Sequence, residues 1–421
     1  MPPSSRPTAV VVGAGIAGLT AAYALSHTHH VVLLEADTRL GGHAHTHRIA
    51  TAAGELAIDS GFIVHNQRTY PTFVRLLREL GVATIATEMS MSVTCRECGL
   101  TYAGGRGPGG ILAAPRRLAD PRFVRLLAEV PRFHRLARRI LRGEAGDPTW
   151  GEVLATGGFT PYFADHFAIP LVACVWSADG ADAANYPARH LFRFLDNHGM
   201  LSVTGSPRWH TIAGGSARYV EALAQRLPDV RTGAPVAAIE RHDDAVEVRL
   251  ARSEVLRADR VVLATHADDA AALLADATTA EKAALTAIPY SRNEIVLHND
   301  ARLLPTVERA RASWNYSRSA CTGSEPAVRV DYWMNRLHRL DADRDYVVSL
   351  NGGGGIDPAS VLARASYRHP VFTRESVAAA ATLSTAGGPR LAFAGAHLGW
   401  GFHEDGARSG RVAAERLGGR W

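Results

Sequence analysis

The chain has 421 residues, 47% apolar and 21% charged, the profile of a folded globular protein and neither a disordered nor a fibrous one. Four cysteines (Cys95, Cys98, Cys174, Cys321) in so long a chain exclude a disulfide framework and point to a reducing, cytoplasmic setting. A net charge of +5 is too small to argue for nucleic acid as a partner, and Lys282 is the sole lysine, so no mechanism can lean on a lysine elsewhere.

Thr8 to Leu25 is apolar enough to mimic a signal or membrane segment, but it has no basic start or cleavage site and carries a glycine cluster. No other stretch approaches that length, so no transmembrane segment is expected. Ala9 to Val12 reads instead as a buried parallel strand, followed by Gly13-Ala14-Gly15-Ile16-Ala17-Gly18 and a helical pattern through Leu25. In that strand, turn and helix, Gly13 permits the tight turn, Gly15 lets backbone approach a pyrophosphate, and Gly18 lets helix pack on strand, while Ile16 and Ala17 open the helix toward the anion. Val31 to Leu34 is a second strand, ending at Glu35, where an acid accepts hydrogen bonds from ribose hydroxyls.

The residues after this acid narrow the choice of nucleotide. Glu35-Ala36-Asp37-Thr38-Arg39-Leu40-Gly41-Gly42 resembles the extended flavin fingerprint of the amine oxidase, phytoene desaturase and protoporphyrinogen oxidase superfamily. The resemblance implies FAD, with Ala36, Gly41 and Gly42 against it and Arg39 bonded to phosphate. His43 stands where that superfamily often has a second arginine. Val230 to Thr265 reads as strands between polar turns, and the likeness assigns Val236 to the adenine and Ala264 to the end of a nucleotide strand. Near the carboxyl end, Arg390 to Ala394 reads as a strand, Gly395-Ala396 as its turn and Asp405 to Leu417 as a helix. This resembles the superfamily's last flavin element, with Asp405 and Gly406 opening a helix aimed at the flavin. Asp59 to Asn66, Asp331 to Leu337 and Gly401 to Gly406 look narrower still, like a bacterial amine-oxidase-like branch often encoded beside cyclopropane-fatty-acid synthases.

The implied fold is α/β: a Rossmann-type FAD-binding domain from residues 1–66, 205–270 and 386–421, and a discontinuous substrate domain, with an antiparallel sheet and helices, from 67–204 and 271–385. Leu118 to Leu141 carries apolar residues at helical spacing, and nine arginines between Arg116 and Arg142 face only Asp120 and Glu129. Such a helix either lies against an anionic bilayer or is a solvated face. Glu294 to His298, Ala327 to Tyr332 and Tyr346 to Leu350 read as strands.

Cys95-Arg96-Glu97-Cys98 lacks a second Cys pair or a nearby His, so it reads as a hairpin turn and no metal is expected. The absence of Cys from 386–421 argues for non-covalent FAD. His403 and Glu404, where the chain approaches the flavin, are the candidate catalytic groups, against a purely structural role. No triad or paired-carboxylate signature appears, which suits chemistry carried by a cofactor. Three functions remain open: an FAD-dependent desaturase, dehydrogenase or redox-neutral isomerase on a hydrophobic, lipid-like substrate; a flavin amine oxidase, whose relatives often keep a lysine near the flavin; and an FAD-holding lipid-binding protein without turnover.

Overall fold

The computed structural model describes residues 6–176, 183–202, 205–322, 329–352 and 354–421. At its centre lies a five-stranded parallel sheet in the order Asp229–Arg231, His30–Leu34, Thr8–Val12, Arg260–Leu263, Leu391–Phe393. Because side chains alternate along a strand, its apolar runs feed two cores. Val11, Leu33, Val262 and Ala392 point into one. Val10, Val12, Val32, Leu34, Val261 and Leu263 point into the other.

The first core is closed by helix Ile16–Ser26, buried along nearly its whole length because helix His403–Arg416 packs on its far side. Only glycine permits that approach: a Cβ at Gly410 would sit 2.0 Å from the Ala17 carbonyl oxygen. The second core is closed by the antiparallel sheet Val236–Arg241, Val246–Leu250, Val255–Ala258. Helices Thr279–Thr286 and Arg374–Leu383, expected with the substrate half, also pack here. Ala284, Leu285, Ala379 and Leu383 give them an apolar face that the nucleotide sheet buries.

The second large sheet has seven strands, in the order Val361–Pro370, Tyr290–His298, Val347–Leu350, Val330–Trp333, Trp314–Arg318, Met91–Cys95, Thr101–Gly104. It is antiparallel, as expected, except where Trp314–Arg318 runs parallel to Met91–Cys95. Of the strand expected from Ala327, residues 327 and 328 lie outside the described residues. The edge strand Val361–Pro370, unforeseen in the sequence, pairs along the full length of Tyr290–His298.

Helices Pro121–Leu141, Trp150–Thr156, Ile169–Trp176 and Ala188–Asn197 form the remaining layer around Phe133, Trp150, Phe163 and Phe192. The arginine-rich helix Pro121–Leu141 buries Phe123, Leu126, Phe133, Ala137 and Ile140, so the apolar stripe that would enter a bilayer is already packed inside the protein. Several of its arginines also have partners: Arg132 on the carbonyls of Gly157 and Gly158, Arg138 on that of Leu201 and Arg122 on Asp120, while Arg142, just past its end, pairs with Glu144. Among the described residues, no helix is long and apolar enough to cross a membrane.

Candidate active site

The carboxyl ends of the parallel strands open into a cavity of about 660 Å³ that runs from the glycine turn to the seven-stranded sheet. At the turn, Gly13 takes φ +98° and donates its N–H to the Leu34 carbonyl, bringing Glu35 above it. The Glu35 carboxylate accepts from Ala14 N at 2.7 Å and Asp37 N at 2.9 Å. A second glycine turn docks on the first: Gly41 N bonds the Ala14 carbonyl, and Gly42, at φ +56°, would bring a Cβ within 3.2 Å of the Gly15 Cα.

These residues fit a dinucleotide. Helix Ile16–Ser26 has no side-chain cap, leaving its first amides to the cavity. A Cβ on Gly15 would meet nothing within 4 Å, so the space above that glycine is open to a ligand. His43 lines the cavity with Nε2 buried and without a partner. Gly13, Ile16, Ala17, Ala36, Val236, Ala264, Gly395 and Ala396 line it too.

Five expected contacts stand elsewhere. Gly18 is a packing residue, since a Cβ there would sit 1.8 Å from the Gly13 carbonyl oxygen. Arg39 bonds the carbonyls of Leu40, Gly42 and Ala44 at 2.7 to 3.0 Å, bracing the second glycine turn from behind. Gly406 faces Ile16, 2.6 Å from where its Cβ would be, and serves the contact between helices. Asp405 accepts from Phe402 N and Arg408 and packs beneath Gly399; burial pushes its carboxyl up to about 6. Glu404 caps another helix: its oxygens accept from Thr72 N and Phe73 N at the start of Pro71–Leu80, which has no cap of its own.

His403 does reach the cavity. Its ring stacks on Phe62, centroids 3.7 Å apart and 8° from parallel, and Tyr219 Oη shares a hydrogen bond with Nε2 at 2.8 Å. Burial holds this imidazole well below its ordinary pKa and the Tyr219 hydroxyl well above its own, so both are neutral. The last helix begins at His403, two residues earlier than the pattern implied.

Sequence reasoning missed a cluster beside the glycine turns. His43 lies 5.3 Å from His369 and 6.3 Å from His266, centroid to centroid, with His397 also on the cavity wall. Burial depresses all four, His369 to about 4 and His397 to about 3, so each offers a neutral N–H or lone pair. His266 directly follows the recognised strand end and was within reach of the motif; His369 comes from the unforeseen edge strand.

Neutral buried histidines make the fold acid-sensitive. Away from the glycine turns, His65, His190, His198 and His298 are each lowered to about 4, chiefly by burial, from an ordinary 6.5. Below pH 6.5 the unfolded chain takes these protons, whereas the folded chain takes them only as pH falls through about 4. The contribution of these four groups to stability is therefore present above pH 6.5 and lost across that window, at up to about 5 kcal/mol per pH unit near pH 5. Thermal midpoints at saturating FAD should drop steeply between pH 6.5 and 5. A midpoint unchanged down to pH 5 would contradict the assignment.

Beyond the turns the cavity becomes an aromatic chamber. Helix Ala188–Asn197 and the residue after it present Phe194 and His198, stacked at 3.9 Å. Phe402 stacks on Phe194 at 4.3 Å and Trp176 meets it at 4.7 Å. The seven-stranded sheet contributes Ile295, Trp314, Tyr332 and Leu350. Among the described lining residues the charged side chains are Glu35, at the glycine turns, and Asp269 and Arg368, which pair with each other at 3.2 Å. Lys282 is exposed on helix Thr279–Thr286, outside the cavity.

A parallel sheet with paired glycine turns and an acid at the end of its second strand, opening on an aromatic chamber floored by an antiparallel sheet, is the arrangement of two-part flavin-binding oxidoreductases. Residues 16–296 match the flavin containing amine oxidoreductases, and the chain belongs to that family, with FAD as its cofactor. A flavin-dependent L-tryptophan oxidase from Lentzea aerocolonigenes is 29% identical over 283 residues, covering 60% of this chain and 56% of that protein, so the match spans little more than half of the relative. Cyclohexylamine oxidase from Brevibacterium oxydans has a TM-score of 0.72 at 16% identity, over 98% of both chains. A fatty acid isomerase from P. acnes has a TM-score of 0.67 at 16% identity, over 98% of this chain and 99% of that one. At such identities the two structures establish a shared fold.

Proposed function

We propose that the protein is an FAD-dependent oxidoreductase that removes or relocates hydrogen on a hydrophobic, lipid-like substrate. The observation that carries this reading is the chamber itself: walls of Trp176, Phe194, Trp314 and Phe402, with Glu35, at the glycine turns, as the charge without a counter-ion among the described lining residues. A cationic amine entering such a chamber would lose its hydration without gaining a counter-ion, whereas an alkyl or alkenyl chain gains from burial. FAD supplies hydride acceptance at N5. The protein's own groups align the chain against it, exclude water and hold their imidazoles neutral.

FAD is held non-covalently in this reading. Cys174, the cysteine on the cavity wall, has its thiol pushed up by complete burial and is a poor nucleophile. The arginine-rich outer face of Pro121–Leu141 suits a substrate drawn from an anionic membrane, by electrostatic contact alone because the apolar face is buried.

The fatty acid isomerase shares the fold, while the named oxidases favour a second reading, oxidation of an amine. The exposed position of Lys282 counts against that, since many amine-oxidising relatives keep a lysine near the flavin. Holoprotein incubated with unsaturated fatty acids or a total lipid extract should alter double-bond number or position, read by mass spectrometry, without peroxide from primary amines. Robust hydrogen peroxide from amines, with lipids untouched, would overturn the proposal. A flavin that reacts with neither class, and that fails to reoxidise in air after photoreduction, would favour a binding protein.

A further inference from the structure

Three of the four cysteines meet far from the cavity's glycine turns. Cys95 ends strand Met91–Cys95, and Cys98 lies in the turn to Thr101–Gly104. Cys321 lies just beyond the neighbouring strand Trp314–Arg318, whose last residue is in register with Cys95. His166 arrives from the helical layer, on a π-helical turn spanning Ala164–Ala168 that leads into helix Ile169–Trp176. One ligand atom from each of these four residues lies within 4.8 Å of all the others. The fold thus supplies the partners that the spacing of the CxxC lacked.

We propose that Cys95, Cys98, Cys321 and His166 bind a zinc ion that ties the hairpin at the sheet edge to the helices over the cavity. Three thiolates and one imidazole are a standard tetrahedral set for structural zinc. Zinc–sulfur bonds of about 2.3 Å put sulfurs about 3.8 Å apart on such a tetrahedron; Cys95 and Cys321 Sγ are 3.7 Å apart, far beyond a disulfide bond.

The surroundings favour coordination as well. His166 is fully buried, its Nδ1 is paired with the Tyr162 carbonyl at 3.0 Å, and its Nε2 has no partner. That pairing puts the proton on Nδ1 and leaves a lone pair on Nε2, the arrangement by which a second hydrogen bond orients a ligating histidine. A π-helical turn is an uncommon distortion that concentrates at functional positions, and here it delivers this imidazole. The backbone amides of Cys98 and Leu100 hydrogen-bond the sulfurs of Cys95 and Cys98, and Tyr162 Oη lies 3.5 Å from Cys98 Sγ. Gly99, at φ +65°, lets the chain fold back beneath the pair. Glu97 ties the two cysteine loops together by accepting from Cys321 N at 2.7 Å. Three thiolates around a divalent cation leave one negative charge. Arg318 reaches the Asp165 and Ala320 carbonyls beside the cluster, and Arg122 lies 5.1 Å above the Tyr162 ring, each also paired with a carboxylate, Asp165 and Asp120 respectively.

The helix after His166 carries Cys174, Val175 and Trp176 to the cavity wall. Zinc would therefore hold one wall of the chamber to the sheet without touching the FAD cradle. Holoprotein purified under reducing conditions, without chelator, should contain about one zinc per chain by elemental analysis. Cys98→Ser should lower that content at least about tenfold and reduce the thermal midpoint while leaving the protein yellow. His166→Cys, which completes a four-cysteine set, should retain the metal, and cobalt exchanged into the wild type should show thiolate-bound tetrahedral absorption beyond the flavin bands. Folded wild-type protein that takes up neither metal from solution would overturn the proposal. So would a Cys95–Cys321 disulfide in freshly purified protein, iron in place of zinc, or full zinc retention in Cys98→Ser.

Discussion

Replacing Gly15 with leucine is expected to give a protein that folds and is colourless. Gly15 has φ −69° and ψ 178°, an ordinary extended conformation, and its Cβ would meet no atom of the protein within 4 Å. The apoprotein should therefore melt close to wild type, since the Cβ meets no obstacle and the rest of the side chain can extend into the cavity that Gly15 lines, a change expected to cost about 0.5 kcal/mol or less. The leucine would instead fill the space that the pyrophosphate needs at the uncapped helix end. FAD affinity should fall at least 100-fold, about 2.7 kcal/mol. Gly18→Leu is the contrasting case. Its Cβ would collide with the Gly13 carbonyl oxygen, so it should fail at folding rather than at binding. FAD titration beside circular-dichroism melts separates the two outcomes. A yellow Gly15→Leu protein with FAD affinity within about threefold of wild type would refute the cradle.

His403→Ala is expected to destabilise the protein by about 3 kcal/mol and to leave FAD bound. The substitution removes a ring stacked between Phe62 and its neighbours and strands the buried Tyr219 hydroxyl, for which an unmade hydrogen bond alone costs about 1 to 3 kcal/mol. His403→Phe keeps most of the packing but still orphans Tyr219. Adding Tyr219→Phe should then restore about 1 to 2 kcal/mol, a coupling that a double-mutant cycle reads directly. Per folded, flavin-loaded molecule, the rate constant for anaerobic flavin reduction by substrate should be nearly unchanged. A large fall in that rate constant in a stable His403→Phe protein would return the residue to a catalytic role. Glu404 belongs to the same account: its carboxylate caps Pro71–Leu80 and ties the last helix to the start of the substrate half.

Local signals carried the nucleotide half of the molecule. Strand Thr8–Val12, the turn at Gly13 and Gly15 and helix Ile16–Ser26 are contiguous in sequence, with Glu35 at the end of the next strand, and backbone sterics require glycine at Gly13, so the motif is readable from the string alone. The same locality limited the inference at Arg39, Asp405 and Gly406. A motif specifies that a residue is needed near the ligand, but it does not distinguish contact with the ligand from bracing behind it. That distinction rests on where each side chain finds its hydrogen bonds, and Arg39 finds three backbone carbonyls.

Only the tertiary structure decided which distant residues share a site. The aromatic chamber draws Trp176, Phe194, Trp314 and Phe402 from four separate elements, and each alone reads as an ordinary core residue. Helices Thr279–Thr286 and Arg374–Leu383 show apolar faces in sequence, but periodicity does not say which sheet will bury them. The cysteine cluster is the extreme case, because Cys95 and Cys321 are separated by 226 residues and joined by strand register. Sequence therefore determined the family, the cofactor and the local backbone of its cradle, where the interactions are short-range. The lining of the chamber, the support of the last helix and the meeting of three thiols with His166 depend on long-range packing, which no local pattern encodes.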